Sequence, residues 1–306
     1  MKKITDSELI DKYLPVIKSY YPDINPKTIT VFREGYDHDV LVVNEKDAFR
    51  FPRTSEQQEK DQIENKFLHI FEKSSPLNVQ RMKSQTDPAT GQYFQRYPFI
   101  SGIPLTQKIA HTFTQQELVC VARDIGRFLK QLHTFPLVRA RAINMDELDP
   151  KMYWQFFEDQ LIKMRKTMFS LLTGSERVWI ATLMQDYMRL TRANPFAVTV
   201  THSDLLAEHI IIDKKTHALN GVIDFSLRIT DPAIDFAYFD RYDPLFLKTV
   251  YEHYPPTDAF FDQRRKFYAG HVPIINLHES LEKQDVKMTK LHLLQLKKYI
   301  SQNPFR

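Results

Sequence analysis

Val200-Thr-His-Ser-Asp-Leu-Leu-Ala-Glu-His-Ile-Ile-Ile-Asp213, followed by Gly221-Val-Ile-Asp-Phe-Ser226, carries more chemistry than any other part of this chain. Two acids, Asp204 and Asp224, each sit beside a strand-like apolar run: FAVTV (196–200) before the first, HIIID (209–213) between them, and GVIDF (221–225) around the second. A carboxylate set against apolar strands costs free energy unless donors or a cation compensate, and a metal ion is the natural compensator. Phosphoryl transfer calls for these parts: one carboxylate to orient an attacking hydroxyl and accept its proton, and hard oxygen ligands for Mg²⁺ bridging the phosphates. Asp204 suits the first role and Asp224 the second.

Upstream, the periodicity changes twice. Thr5-x-x-Glu8 opens a helix over 5–20 that Pro15 should kink or interrupt. Short β-rich runs follow: TITVF, VLVVN and AFRFPR between 28 and 53. An amphipathic helix over 56–73 then carries Ile63, Phe67, Ile70 and Phe71. LNVQRM (77–82) and QYFQRYPF (92–99) read as two strands around a turn at Asp87–Gly91. Beyond Pro98 the chain turns helical, with a second capping box at Thr114-x-x-Glu117 and a break near Thr173-Gly174-Ser175. Asp231 before Pro232 reads as an N-cap opening a helix over 232–240, with Asp235 in its first turn facing the catalytic loop. The expectation is an α+β fold of two lobes: a small antiparallel-sheet unit over 1–98, and a mostly helical unit over 99–306.

Composition narrows the chemistry. The chain has 306 residues, 42% hydrophobic and 26% charged, an ordinary globular balance. Only seven glycines occur, and no GxGxxG, GxxxxGK[ST] or GxSxG can be written with them. Dinucleotide-binding, Walker-type and nucleophile-elbow readings therefore lose their support, and any phosphate must be gripped by side chains and metal. The net charge of +4 is scattered rather than gathered on one stretch, which argues against nucleic acid as a partner. No apolar run approaches the ~20 residues that span a bilayer. The single Cys120, among apolar neighbours, reads as a buried inert thiol, and with no disulfide to form, a reducing, cytoplasmic setting is expected. No feature of the sequence bears on oligomeric state.

His202-Ser-Asp204-x-x-x-x-His209 with Ile223-Asp224-Phe225 resembles the catalytic and metal-binding loops of the aminoglycoside phosphotransferase family, kinase-like enzymes acting on small molecules. The likeness is nearest the branches that phosphorylate macrolides and the 2″-hydroxyl of aminoglycosides, where a His also replaces the usual kinase Asn. Glu34–Asp39, Phe49–Arg53 and Glu64 resemble that family's nucleotide lobe, Phe128–His133 the helix after its hinge, and Asp231-Pro232-x-x-Asp235 its motif after the metal loop. The resemblance implies a protein-kinase-like two-lobed fold and transfer of the γ-phosphoryl of ATP or GTP, with Mg²⁺, to a hydroxyl-bearing small molecule. It makes Asp204 the catalytic carboxylate and Asp224 and His209 the metal-binding pair. Arg50, Glu64 and Gly35 become nucleotide-lobe residues, and Tyr97 and Phe99 lie near the base at a hinge formed by the end of the Phe94–Phe99 strand.

Two departures stand out. Arg50 occupies the place of the family's phosphate-binding Lys, and a guanidinium is a planar fork rather than a point charge. His209 offers nitrogen to a metal that prefers oxygen. They motivate a first alternative, a binding pseudokinase without transfer. A second is a metal-dependent hydrolase using His202, Asp204, His209 and Asp224. Acceptor recognition is expected near Phe236–Phe260, whose aromatic and acidic side chains could wall a site for a bulky amine or form a helical core with charged edges.

Overall fold

A computed structural model describes residues 5–33 and 37–304. Helix α1 (Asp6–Tyr20) starts at the Thr5/Glu8 capping box and runs unbroken through Pro15. The expected interruption does not occur because Pro15 lies on the exposed side, where the carbonyl it orphans can meet water; Leu9, Tyr13 and Ile17 form the buried face. Strands β1 (Ile29–Phe32), β2 (His38–Val43) and β3 (Asp47–Pro52) form antiparallel neighbours, followed by helix α2 (Ser55–Phe71) and strands β4 (Lys83–Thr86) and β5 (Tyr93–Pro98). All five strands join one antiparallel sheet in the order β1-β2-β3-β5-β4. The strand expected at 77–82 is absent: that segment leaves the sheet, and the partner of β5 begins at Lys83.

Alternation along β3 sorts the sheet's two faces. Phe49 and Phe51 pack under α1 with Leu9, Tyr13 and Phe94, the Tyr13 and Phe51 rings stacking 3.9 Å apart. Ala48 and Arg50 point the other way, opposite Tyr97 and Gln95 of β5 and Val42 and Val40 of β2. A single charged side chain is thus delivered to the face that looks toward the rest of the molecule. Along α2 the buried stripe runs Asp61, Glu64, Phe67, Leu68, Phe71. Its apolar end joins the main core, with Phe67 and Phe71 meeting Phe135 and Phe128.

The remainder is mostly helical: after β6 (Ile103–Pro104) come α3 (Gln107–Ala110), α4 (Gln115–His133), α5 (Leu137–Ala142), α6 (Tyr153–Thr167) and α7 (Gly174–Ala193). Capping boxes at Thr114/Glu117 and Thr173/Glu176 start α4 and α7. Short strands β7 (Thr199–Thr201), β8 (Ile210–Ile212), β9 (Leu219–Val222) and β10 (Arg228–Thr230) interrupt, before α8 (Pro244–Glu252), α9 (Phe261–Glu282) and α10 (Val286–Gln302). Strand β10, unanticipated, pairs β7, while β8 lies between β6 and β9. GVIDF is strand only as far as Val222, leaving Asp224 in a loop, and the helix expected over 232–240 is instead two 3₁₀ turns, Pro232–Phe236 and Phe239–Arg241. Cys120 is half-buried rather than enclosed. No described helix is long and apolar enough to cross a membrane.

Helices α4 and α8 approach so closely that a Cβ on Gly126 would lie 2.7 Å from the Val250 carbonyl oxygen and 2.9 Å from His253 Cβ. Gly126→Ala should therefore destabilise the fold by about 1–3 kcal/mol through overpacking, even though alanine is the better helix former. Urea denaturation reads this directly; an unchanged or raised midpoint would contradict it.

Candidate active site

The chain leaves β7 at Thr201 and turns at once. Ser203 takes a left-handed φ of 64°, and the carboxylate of Asp235, 1% exposed, accepts the backbone N–H groups of His202 and Ser203 at 2.8 Å each. The same carboxylate accepts from His133 Nε2 at 2.9 Å, and His133 Nδ1 lies 2.7 Å from the Tyr254 hydroxyl. The buried His202 ring donates Nε2–H to the Ile223 carbonyl at 3.0 Å and accepts the Asp204 N–H at Nδ1, 3.3 Å away. Burial holds this imidazole down at about 4, against the opposing charge of Asp235, so it stays neutral. With both nitrogens committed to backbone, His202 has no lone pair left for a metal.

His209 completes the loop by donating Nδ1–H to the Asp204 carbonyl at 2.7 Å. Histidines therefore tie both backbone groups of Asp204, and its carboxylate is left accessible, with 43% of the side chain exposed. Protein walls still crowd that carboxylate. Their desolvation, with the negative charges of Asp224, Glu279 and Asp235 and against the pull of His209, pushes it up to about 6.

Asp224 emerges from β9 in a left-handed conformation, φ 62°. Ile223 N–H bonds the His209 carbonyl at 3.0 Å and so fixes the metal loop against the catalytic loop. Asp224 Oδ2 lies 3.3 Å from His209 Nε2, and Oδ1 lies 3.9 Å from an Arg50 nitrogen. Burial opposes ionisation of Asp224, but His209, Arg50, His38 and His202 together hold its carboxyl below the usual range. With Nδ1 protonated, the His209 Nε2 lone pair confronts a carboxylate oxygen, an arrangement that needs a proton or a cation between them. Among the described residues no cluster of three or more His, Cys, Asp or Glu is arranged to hold a metal by itself. The Asp224–His209 pair thus suits an ion that takes its remaining ligands from phosphate and water, the habit of Mg²⁺.

Arg50, 3% exposed, forms the third cluster. Its Nε donates to Gln95 Oε1 at 2.9 Å, while one terminal nitrogen reaches Glu64 in a short contact and Asp61 at 3.4 Å. Asp61, fully enclosed, also receives His38 Nε2 at 2.9 Å and Gln57 Nε2 at 3.0 Å. Burial pushes the Glu64 carboxyl up to about 7 despite Arg50, and its Oε1 has no hydrogen-bond partner.

The expected residues fall in three places. Asp204, His209 and Asp224 converge, and Arg50 and Glu64 touch one another beside them. Tyr97, 7% exposed, lies on Arg50's face of the sheet. Phe99 stacks on Phe32 at 6.4 Å and spends its N–H on the Lys46 carbonyl at 2.8 Å. With proline at 98, the backbone there offers no donor at 98 or 99. Gly35 lies outside the described residues. Of the aromatic stretch read as an acceptor wall, Phe236, Phe239, Tyr242 and Phe246 are core. Asp61, Gln95 and Gln80 were not foreseen; the i, i+3 spacing of Asp61 and Glu64 on one helix face was the available signal for the first.

The sequence profile of the phosphotransferase enzyme family APH matches residues 28–258. Among solved structures, the GDP complex of wild-type aminoglycoside 2'-phosphotransferase-IIIa shares 20% identity, with 94% of this chain and 97% of that one covered and a TM-score of 0.83. The GDP and kanamycin complex of APH(2")-IIia shares 20% identity over 95% of this chain and 99% of that one, TM-score 0.84. The macrolide 2'-phosphotransferase MphH from Brachybacterium faecium, as apoenzyme, shares 15% identity over 96% and 99%, TM-score 0.68. At these identities the likeness is one of fold.

Removing the guanidinium would strand two buried carboxylates. Arg50→Met should cost about 3–5 kcal/mol of stability, measured by chemical denaturation. A loss below about 1 kcal/mol would mean that the cluster is solvated and not an enclosed ion pair.

Proposed function

Because the chain belongs to the phosphotransferase enzyme family APH, we propose that it transfers the γ-phosphoryl group of ATP or GTP to a hydroxyl of an aminoglycoside, macrolide or similar small molecule. The observation that carries this reading is the set of contacts around His209: one nitrogen on the Asp204 carbonyl, the other facing Asp224, with Arg50 beyond. In this reading residues 1–98 bind the nucleotide, with the hinge at their end, and residues 99–306 supply the catalytic and metal loops and the acceptor site. Tyr97 and Phe99 flank the base.

Asp204 orients the acceptor hydroxyl and takes its proton as the oxygen attacks phosphorus. Its role is served by a backbone that cannot swing, since proximity and orientation supply much of the rate in such reactions. Burial and neighbouring carboxylates raise the proton affinity of this group relative to Asp224, the division of labour between paired acids that acid–base chemistry needs. Arg50, held in plane by Gln95 and Glu64, presents its remaining nitrogen to phosphate oxygens. Asp224 and His209 are the residues that would hold Mg²⁺, which when bound neutralises charge on the phosphates.

The acceptor side is acidic. Glu279 and Asp235 act on Asp204, and Glu279 in turn feels Asp37 and Glu282 against Lys283 and His278. Such a field favours an amine-bearing acceptor, in keeping with the kanamycin bound by one relative. The hydrolase alternative loses one of its four ligands because both His202 nitrogens are spent on backbone, and no group of three or more His, Cys, Asp or Glu among the described residues is arranged to hold a metal.

Asp204→Ala should retain nucleotide binding and lose phosphoryl transfer by roughly 10²–10⁴-fold, the contribution of a positioned general base. The measurement is radiolabelled transfer from ATP and from GTP to aminoglycosides, macrolides and simple alcohols. Undiminished turnover in the variant refutes the role of Asp204. Nucleotide binding by the wild-type chain without transfer to any acceptor supports the pseudokinase instead.

A further inference from the structure

The segment 77–82, which leaves the large sheet, is a strap laid across the metal loop. Asn78 makes a parallel bridge to Gly221; its carbonyl accepts the Val222 N–H at 3.4 Å, and its Nδ2 donates to the Asn220 carbonyl at 3.0 Å. The approach requires glycine, because a Cβ at 221 would lie 2.8 Å from the Asn78 oxygen and 3.1 Å from the Ile100 side chain. Val79 is buried in the same main core as Phe67, Leu68 and Phe71 of the helix that carries Asp61 and Glu64. Two residues past Asn78, Gln80 is 4% exposed, and its Oε1 accepts the backbone N–H of Asp224 at 3.4 Å.

That N–H belongs to a non-glycine residue at φ 62°, a backbone that persists only where its surroundings hold it. The preceding amide is fixed by the His209 carbonyl; the amide of Asp224 itself is fixed by Gln80. We propose that Gln80 is a positioning residue for the divalent cation, its side-chain oxygen locking the turn that aims the Asp224 carboxylate. This rests on the reading that Asp224 holds a cation with the nucleotide. The strap thereby links the two halves of the cleft: displacement of α2 is felt at Asp224 through Asn78 and Gln80, without passing through Arg50.

The test is fluorescence anisotropy of labelled ATP and GTP analogues on the full chain, titrated with Mg²⁺ and repeated in EDTA, for wild type and Gln80→Met. Methionine keeps the length and burial of the side chain and removes the acceptor. The expected result is a rise of about three- to tenfold in the Mg²⁺ concentration at half-effect, the value of one hydrogen bond, with binding in EDTA unchanged. An unaltered Mg²⁺ response overturns the proposal, as does a proportional loss of binding in EDTA, which marks a merely structural contact. Should Gln80→Met fail to fold, Gln80→Asn, one methylene shorter, carries the same readout. A wild-type chain whose nucleotide binding ignores Mg²⁺ overturns the parent reading, an outcome distinct from a change confined to the variant.

Discussion

The carboxylate of Asp235 accepts three N–H donors inside the protein, from His202, Ser203 and His133, and the course of the loop that carries Asp204 follows from it. A buried carboxylate costs several kcal/mol unless its oxygens are bonded. Here two donors are backbone, so satisfying the charge fixes the path of the chain. It holds Ser203 in the left-handed region, and the turn there brings Asp204 out of β7 with its side chain toward the cleft. Because His133 is the last residue of α4 and Tyr254 follows α8, the same carboxylate ties the catalytic loop to two helices of the main core.

Two histidines seven positions apart in the sequence, with rings 6.1 Å apart, show how identical side chains divide structural and chemical work. His202 commits both nitrogens to the backbone of the loops it joins, and burial keeps it neutral. His209 commits only Nδ1, and its other nitrogen faces Asp224. One ring serves as a rivet and the other keeps a lone pair or proton for the cleft, a distinction set entirely by which backbone groups lie within reach.

Much of this was legible in the sequence where it depended on local rules. Capping boxes at Thr5 and Thr114 and the β-rich runs that become β2 and β3 read correctly because each is a short-range constraint. What failed depended on partners far away in the chain. Residues 77–82 have the composition of a strand, but Asn78 bridges to β9 with both its carbonyl and its side chain. Residues 232–240 have the N-cap of a helix, yet Asp235 must reach back to residues 202 and 203, and the backbone tightens into 3₁₀ turns. The aromatic stretch from Phe236 resembled a binding wall, since neither periodicity nor composition separates a wall from a core. Gln95 and Gln80 were invisible for a related reason: an uncharged amide carries no signal until its partner is known.

Arg50 is best understood through those amides. The family's lysine would bring one nitrogen to one carboxylate, whereas a guanidinium brings a rigid plane whose Nε also needs an acceptor in this dry setting. The antiparallel register puts Gln95 directly opposite Arg50, and its oxygen takes that bond while its amide nitrogen reaches the Asp61 carbonyl at 3.1 Å. The plane is then locked by the sheet on one edge and by α2 on another, leaving one terminal nitrogen toward Asp224. Two enclosed carboxylates share one guanidinium, and Glu64 bears the cost: burial raises its proton affinity despite Arg50, with Asp61 adding to the rise, and its second oxygen lacks a partner. His38 of β2 adds a hydrogen bond to Asp61. Arginine at this position therefore depends on its neighbour across the sheet: without Gln95 in register, Nε would be a buried donor with nothing to bond, at a cost comparable to the bond itself.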